Sequence, residues 1–443
     1  MRRTPSCPGL CARWWLIFLL LSLGGCATYS QQAASMRDSL LAGRSDLARM
    51  AAEEQDQDQN DVLASLNKGM LRRMTGDYAD SNQIFEVAKQ QIDLLYGVSV
   101  TDTATSITIS DVTRDYKGAR YEQILLHAFT AMNYLQLGQL DAARVEILQA
   151  DVKMREWAQQ SDEDPFVRYL SGIIFEALGE YDQALIAYRK ARGIYLATYN
   201  EHQLAVPSFL KMDLLRLSAM LGLSDEYQRL KSEFGMAGFE PEQGASASGE
   251  LIVILSNGLA PIKSESAIMI FSSEIQGNVR VALPVYRYGA KPARKSRVNI
   301  GGELVQLEAV ENVDQLARRA LEEEMPGIMA RAVTRAVVKY QSQKAAQDHN
   351  DLAGLLLTLT NLATERADTR SWTTLPQEIQ LARVRLPPGR HQVSIEIINA
   401  AGGVIDSIDT AVTVRPGRVE FLTRHWVAPV TERGTLTRIN TNQ

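Results

Sequence analysis

Three windows of this chain carry the same residue classes at the same offsets. That constrains its fold more than any other feature. The first window holds Gly69, Gly76, Tyr78, Ser81, Phe85 and Ala88. The second holds Ala131, Gly138, Leu140, Ala143, Ile147 and Ala150. The third holds Gly172, Gly179, Tyr181, Ala184, Tyr188 and Ala191. A small leading residue lets two antiparallel helices approach closely. A Gly seven positions later suits the left-handed cap that ends the first helix. A large residue two further on fills the bend, and a second small residue packs back on the first helix. An aromatic or aliphatic residue and then an Ala bury the second helix against its neighbour. Such a helix pair cannot cover its own apolar face, so copies must stack.

The window from Gly179 to Ala191 (GEYDQALIAYRKA) is a near-ideal second half, and the region from Asp61 to about Gly235 resembles the tetratricopeptide (TPR) family. Tandem copies would lie roughly 34 residues apart. Here the leading residues Gly69, Ala131 and Gly172 are spaced unevenly, which places an inserted loop at about 97–118 and a shorter excess before Pro165. Leu204 to Leu230 supplies two more helices without clean repeat signals, and reads as a degenerate pair that caps the stack.

The N-terminus reads as a lipoprotein signal. Arg2, Arg3 and Arg13 give a positive entry, Trp14 to Leu23 an apolar run too short to span a bilayer, and Leu23-Gly24-Gly25-Cys26 a processing site. Residues 1–25 are then expected to be removed, leaving Cys26 as the lipidated first residue. Each buried methylene adds about 0.8 kcal/mol, so two or three acyl chains anchor stably. Ala27 follows, and by resemblance to enteric lipoproteins the lack of an aspartate there points to the outer membrane, facing the periplasm. Cys7 and Cys11 lie in the removed segment, so no internal disulfide is expected. Residues 26–60 read as a lipidated tether and a first helix. Loss of the three leader arginines takes the net charge from −5 to −8. That argues against nucleic acid as a partner. Leu352 to Ala363 is the longest other apolar run, and reads as a buried helix.

Past Gly235 the composition changes. Residues 236–250 read as a linker, and strand-like runs follow over 251–310. Helices return over 311–367, broken at Pro326-Gly327, and strands resume over 368–430 before a tail at 431–443. The expected fold class is α+β: a TPR-like α-solenoid, then a β-sandwich-like domain split by a helical insertion. Two independent small β units are the alternative.

Catalytic motifs are missing from the sequence. HExxH, GxSxG and a P-loop do not occur, and the five histidines are scattered. Ser65-Leu66-Asn67-Lys68 and Ser208-Phe209-Leu210-Lys211 match SxxK, but both lie in the helical array without a Lys-Thr-Gly partner. Neither an enzyme activity nor a cofactor is expected. In a repeat stack the first helix of each pair lines a groove that takes a peptide or helix, which nominates Asn67, Arg73, His127, Asn133 and Arg168 as binding residues. Asp368-Thr369-Arg370-Ser371-Trp372 adds Arg370 and Trp372 as a contact for a glycan or protein, against a structural reading in which Trp372 packs and Arg370 pairs with a carboxylate.

The segments YEQILLHAFTAMNYLQLGQLDAARVE (Tyr121 to Glu146) and ADTRSWTTLPQEIQLARVRLPPG (Ala367 to Gly389), behind the lipid-attachment site, resemble a family of uncharacterised bacterial outer-membrane lipoproteins with TPR repeats. The resemblance implies no chemistry. Relatives are often encoded near lipoproteins that resemble activators of peptidoglycan synthases, which makes the cell-wall machinery an expected partner. The sequence thus points to a non-enzymatic envelope scaffold for protein–protein interaction. The alternative is a β domain that binds peptidoglycan or another glycan through Trp372 or Trp426.

Overall fold

The computed structural model describes residues 29–54, 61–98, 115–157, 163–240, 248–273, 277–286, 294–349 and 366–427. Five helix pairs come first: α1 (Tyr29–Leu41) with α2 (Ser45–Glu54), α3 (Asp61–Met74) with α4 (Tyr78–Val98), α5 (Arg120–Gln136) with α6 (Leu140–Trp157), α7 (Pro165–Ala177) with α8 (Tyr181–Ala197), and α10 (Ser208–Met220) with α11 (Ser224–Phe234), after the short α9 (Tyr199–His202). One cap joins each pair. Gly76, Gly138 and Gly179 take positive φ, and so do Gly43 and Gly222 in the first and last pairs. At each of the five, the Gly N–H bonds back to the third carbonyl before the Gly and the next N–H to the fourth, as in Gly76 to Arg73 and Asp77 to Arg72. This is the Schellman closure, which satisfies the orphaned carbonyls of the helix end.

The leading small residues act as the spacing requires. A Cβ on Gly69 would lie 2.4 Å from the Phe85 ring, and one on Gly172 2.3 Å from the Tyr188 ring. The helix pairs close on these aromatic–glycine contacts. In the first pair the sizes are exchanged: Met36 stands at the leading position and Ala48 and Ala52 face it in one small core with Leu71. Residues 29–54 are therefore two helices of the array rather than a tether with one helix. The exchanged sizes hid the repeat from a search for small leading residues.

The strands are β1 (Gly249–Asn257), β2 (Lys263–Ser272), β3 (Gly277–Tyr286), β4 (Lys295–Ile300), β5 (Glu303–Gln306), β6 (Glu308–Asn312), β7 (Glu378–Leu386), β8 (Gly389–Ile398), β9 (Val404–Val414) and β10 (Val419–Trp426). Two four-stranded sheets, ordered β10-β1-β7-β6 and β5-β4-β8-β9, draw strands from both sides of the helical insertion, so the chain builds one β unit and not two. Leu251, Val253 and Leu255 of β1 meet Val298 of β4 and Val393, Ile395 and Ile397 of β8 between the sheets. β5 and β6 are separate strands because the chain leaves one sheet and enters the other at Leu307.

β2 and β3 form a separate ribbon. Pro284 fits there because β3 has an unladdered edge. Along this ribbon runs α12 (Val313–His349), a single helix that passes through Pro326. The expected break does not occur. Proline removes one hydrogen bond at a cost of about 3 kcal/mol. Burial of Leu321 and Ala332, with Met325 and Ile328 packed beside them, offsets it.

The first sheet is covered on both faces. Ile252 and Ile254 of β1, Ile379 and Leu381 of β7, Val310 of β6 and Phe421 of β10 belong to the same core as the repeat helices. The helical array and the sandwich are thus three layers of one body. The expected linker does not separate them. Residues 241–247 lie outside the described part, but Met236 and Phe239 pack on the shared core, and Phe239 O accepts the Tyr227 hydroxyl at 2.8 Å. The leader, Cys26, most of the 97–118 loop, the Leu352–Ala363 run and the tail also lie outside the described residues. Among the described residues no helix is long and apolar enough to cross a membrane.

Candidate functional site: the occupied inner face of the array

The inner face is built from the first helices of the pairs, and the chain's own β unit fills it. Residues 366–377 run as irregular chain between array and sheet, and Trp372 is their anchor. Its side chain is 1% exposed, edge-on to Phe85 at 5.7 Å and Phe129 at 6.0 Å. The indole N–H donates to Thr374 Oγ1 at 2.9 Å, and the backbone N–H to Glu122 Oε1 at 2.8 Å. Glu122 also accepts the Ala119 N–H at 3.1 Å, half of a capping box at the start of α5, and the Tyr116 hydroxyl. One carboxylate thereby ties a helix start to the inserted segment.

Asn67 of α3 accepts the Thr374 hydroxyl at 3.0 Å. Arg73, on the same helix, donates to Asn133 Oδ1 and to Thr423 of β10, with its guanidinium over the Phe129 ring at 5.4 Å. Burial lowers its pKa to about 10. Asn133 Nδ2 donates to Ser81 and Asn82 of α4 at 2.9 and 2.8 Å. Asn67, Arg73, Asn133 and Trp372 therefore converge, but on the chain's own sheet. They line no open groove, because sheet and segment bury them.

His127 and Arg168 do not join them. His127 points between helices, Nδ1 to Glu146 at 2.9 Å, and Glu146 also holds Lys89 of α4 at 2.9 Å. Burial lowers the His127 pKa, against the pull of Glu146. Arg168 is engaged by Glu163 at 2.6 Å and by Asp151. Arg370 lies over the Tyr116 ring and pairs with Asp368 at 2.8 Å. The SxxK serines are likewise occupied, Ser65 by Gln91 and Ser208 by Glu308. Trp426 is 6% exposed and donates to Asp406 at 2.8 Å. Neither Trp372 nor Trp426 offers a free ring face to a sugar, which removes the basis of the glycan-binding alternative.

The sequence reading missed a second cluster at this interface. Arg383 of β7 meets Asp213 of α10 and Glu250 of β1 at 2.6 Å each and Glu176 of α7 at 3.4 Å. Arg216 holds Glu176 at 2.6 Å, and the Tyr188 and Tyr169 hydroxyls donate to Glu176 and Asp213. Burial would raise the Glu176 pKa, but Arg383 and Arg216 outweigh it and hold it at about 2. Burial raises Asp213. A signal existed: LIVIL in β1 (Leu251 to Leu255) is apolar without alternation, as a strand covered on both faces must be.

No family model and no curated protein matches the chain. Solved structures resemble part of the chain. One is MamA from Desulfovibrio magneticus RS-1, 13% identical over 48% of this chain and 96% of that one, TM-score 0.32. Another is a Podosopora anserina putative kinesin light chain with nearly identical TPR-like repeats, 14% identical over 46% and 92%, TM-score 0.32. A third is a Rap protein complexed with competence and sporulation factor, 12% identical over 46% and 50%, TM-score 0.30. Scores this low carry no weight on their own. The five identical caps and the glycine–aromatic contacts are what make the array TPR-like.

Proposed function

We propose that the protein is a non-enzymatic scaffold of the bacterial cell envelope. Acyl chains on Cys26 hold it at the periplasmic face of the outer membrane, and it binds a protein partner through the outer face of its array. One observation carries this reading. The inner face is filled by the protein's own sheet, while Val145, Leu148 and Val152 form an exposed apolar stripe along α6, at a spacing that puts them on one helix face. Ile186 of α8 and Leu94 of α4 are exposed on the second helices to either side. A protein of the cell-wall synthesis machinery is the first partner to look for. The test is photo-crosslinking in intact envelopes from positions 148 and 152, with position 390 on the sandwich as control, alongside palmitate labelling of the native chain and of C26A. One protein captured from 148 and 152 alone, and label lost in C26A, are expected. Capture only from position 390, or no label on the native chain, overturns the proposal.

A further inference from the structure

Strand β6 carries a bulge. Ala309 pairs with Gln380 and Glu311 with Ile379, which leaves Val310 as the extra residue. The bulge turns two successive residues toward the helices. Val310 O accepts the Tyr195 hydroxyl at 2.6 Å, and Glu311 is wholly buried. Opposite stands Asp164, the cap of α7, whose Oδ1 accepts the Val167 N–H at 2.8 Å. Glu311 Oε1 takes the Asn312 N–H at 2.8 Å. The two carboxyls interact where α7 packs on β6, and Asp164 Oδ2 and Glu311 Oε2 are buried without a hydrogen-bond partner. Two buried carboxyls in contact cannot both be ionised, so one oxygen must carry a proton.

We propose that the Asp164–Glu311 pair is a proton-dependent latch between the helical array and the sheet, closed while the pair keeps its proton and loosened when the proton leaves. The surroundings favour this. Arg168 of α7 is a cation that acts on Asp164, and Glu163 and Asp151 engage it. Tyr195 of α8 contributes its hydroxyl to Val310. A cleft of about 350 Å³ has Asp164 in its lining. Arg120 and Tyr121 of α5 line it, with Arg319, Glu323 and Glu324 of α12. Arg319 is held by Glu323 and Glu201.

Burial pushes Asp164 up to about 6 and Glu311 well above the carboxyl range. Both are raised, so the folded protein keeps protons that the unfolded chain releases. The stabilisation is complete below about pH 4. Asp164's share is lost as pH rises through about 6, and that of Glu311 beyond it.

The test is denaturant unfolding of the full chain from pH 6 to 9, with hydrogen exchange at β6 and the first turn of α7 corrected for intrinsic base catalysis. In the native protein the unfolding constant rises by up to tenfold per pH unit, and corrected exchange at β6 rises with it. Glu311→Gln keeps a donor to Asp164 without titrating, and Asp164→Asn keeps the cap, so each flattens the slope. Corrected exchange in the native protein that does not change with pH, or a native slope retained by both variants, overturns the latch.

Discussion

The two faces of the helical array are made from the same repeats and meet opposite environments. On the inner face, Asn67, Arg73 and Asn133 are spent on Thr374, Thr423 and neighbouring helices, and Phe85 and Phe129 close on Trp372. On the outer face, Leu94, Val145, Leu148 and Val152 stand in solvent. A stack of helix pairs ordinarily offers its inner face to a partner. Here the chain supplies that partner itself, so the apolar surface left over lies on the other side. Inner-face residues should then behave as core, and outer-face residues as surface.

The largest effect should come from Trp372→Ala. It removes a buried indole from between two rings and takes the indole donor from the Thr374 hydroxyl. A loss of roughly 3–5 kcal/mol is expected, seen as a lower denaturant midpoint. Helical and β signals should still fall together, because the layers share one core. Separate transitions would show that the layers fold independently. Next is Arg383→Ala, which strands Asp213 and Glu176 in the interface. Breaking a buried ion pair from one side costs about 3–5 kcal/mol. Replacing Arg383, Asp213 and Glu176 together by apolar residues should recover most of that loss in the same unfolding assay.

The repeats were legible because their contacts are local and stereotyped. Gly172 and Tyr188 lie sixteen residues apart and touch in the fold as their spacing requires. The return of strands after the helical insertion was legible in the same local way. The docking of sheet on array was not. Trp372 meets Phe85 and Phe129 across hundreds of residues, and no periodicity links them. Arg73 has the look of a groove residue in the sequence, since a first helix presents the same polar atoms to a foreign peptide or to its own sheet. Only the unbroken apolar run of β1 hinted that its second face needed a cover.

Two smaller effects sharpen the comparison. Gly172→Ala puts a methyl 2.3 Å from the Tyr188 ring, and overpacking of this kind costs about 1–3 kcal/mol. Gly193→Ala, on the same pair of helices but with nothing within 4 Å, should not lower the midpoint. Acid should also act on the inner face. Glu176 is held at about 2, below its unfolded value, so its stabilisation is present above about pH 4.5 and is lost as pH falls toward 2. The limit is about 1.4 kcal/mol per pH unit. Asp213 is raised and works in the opposite sense, so Glu176→Gln isolates the first term by flattening the acid limb.

The smallest effect on stability should come from the outer stripe, and it is the most informative about function. Leu148→Ser and Val152→Ser remove apolar atoms that solvent already reaches. Exposed positions of this kind change stability by no more than about 0.5 kcal/mol. A crosslinked partner, by contrast, should be lost, because the stripe would form the desolvated centre of that contact. The two readouts separate the faces: Trp372→Ala should reduce capture only in proportion to unfolding, whereas Leu148→Ser should abolish it in a fully folded protein. Partner capture that survives Leu148→Ser and Val152→Ser together would mean that the outer stripe is not the binding surface, and would move the search to the β2–β3 ribbon, where Met269 and Phe271 are also exposed.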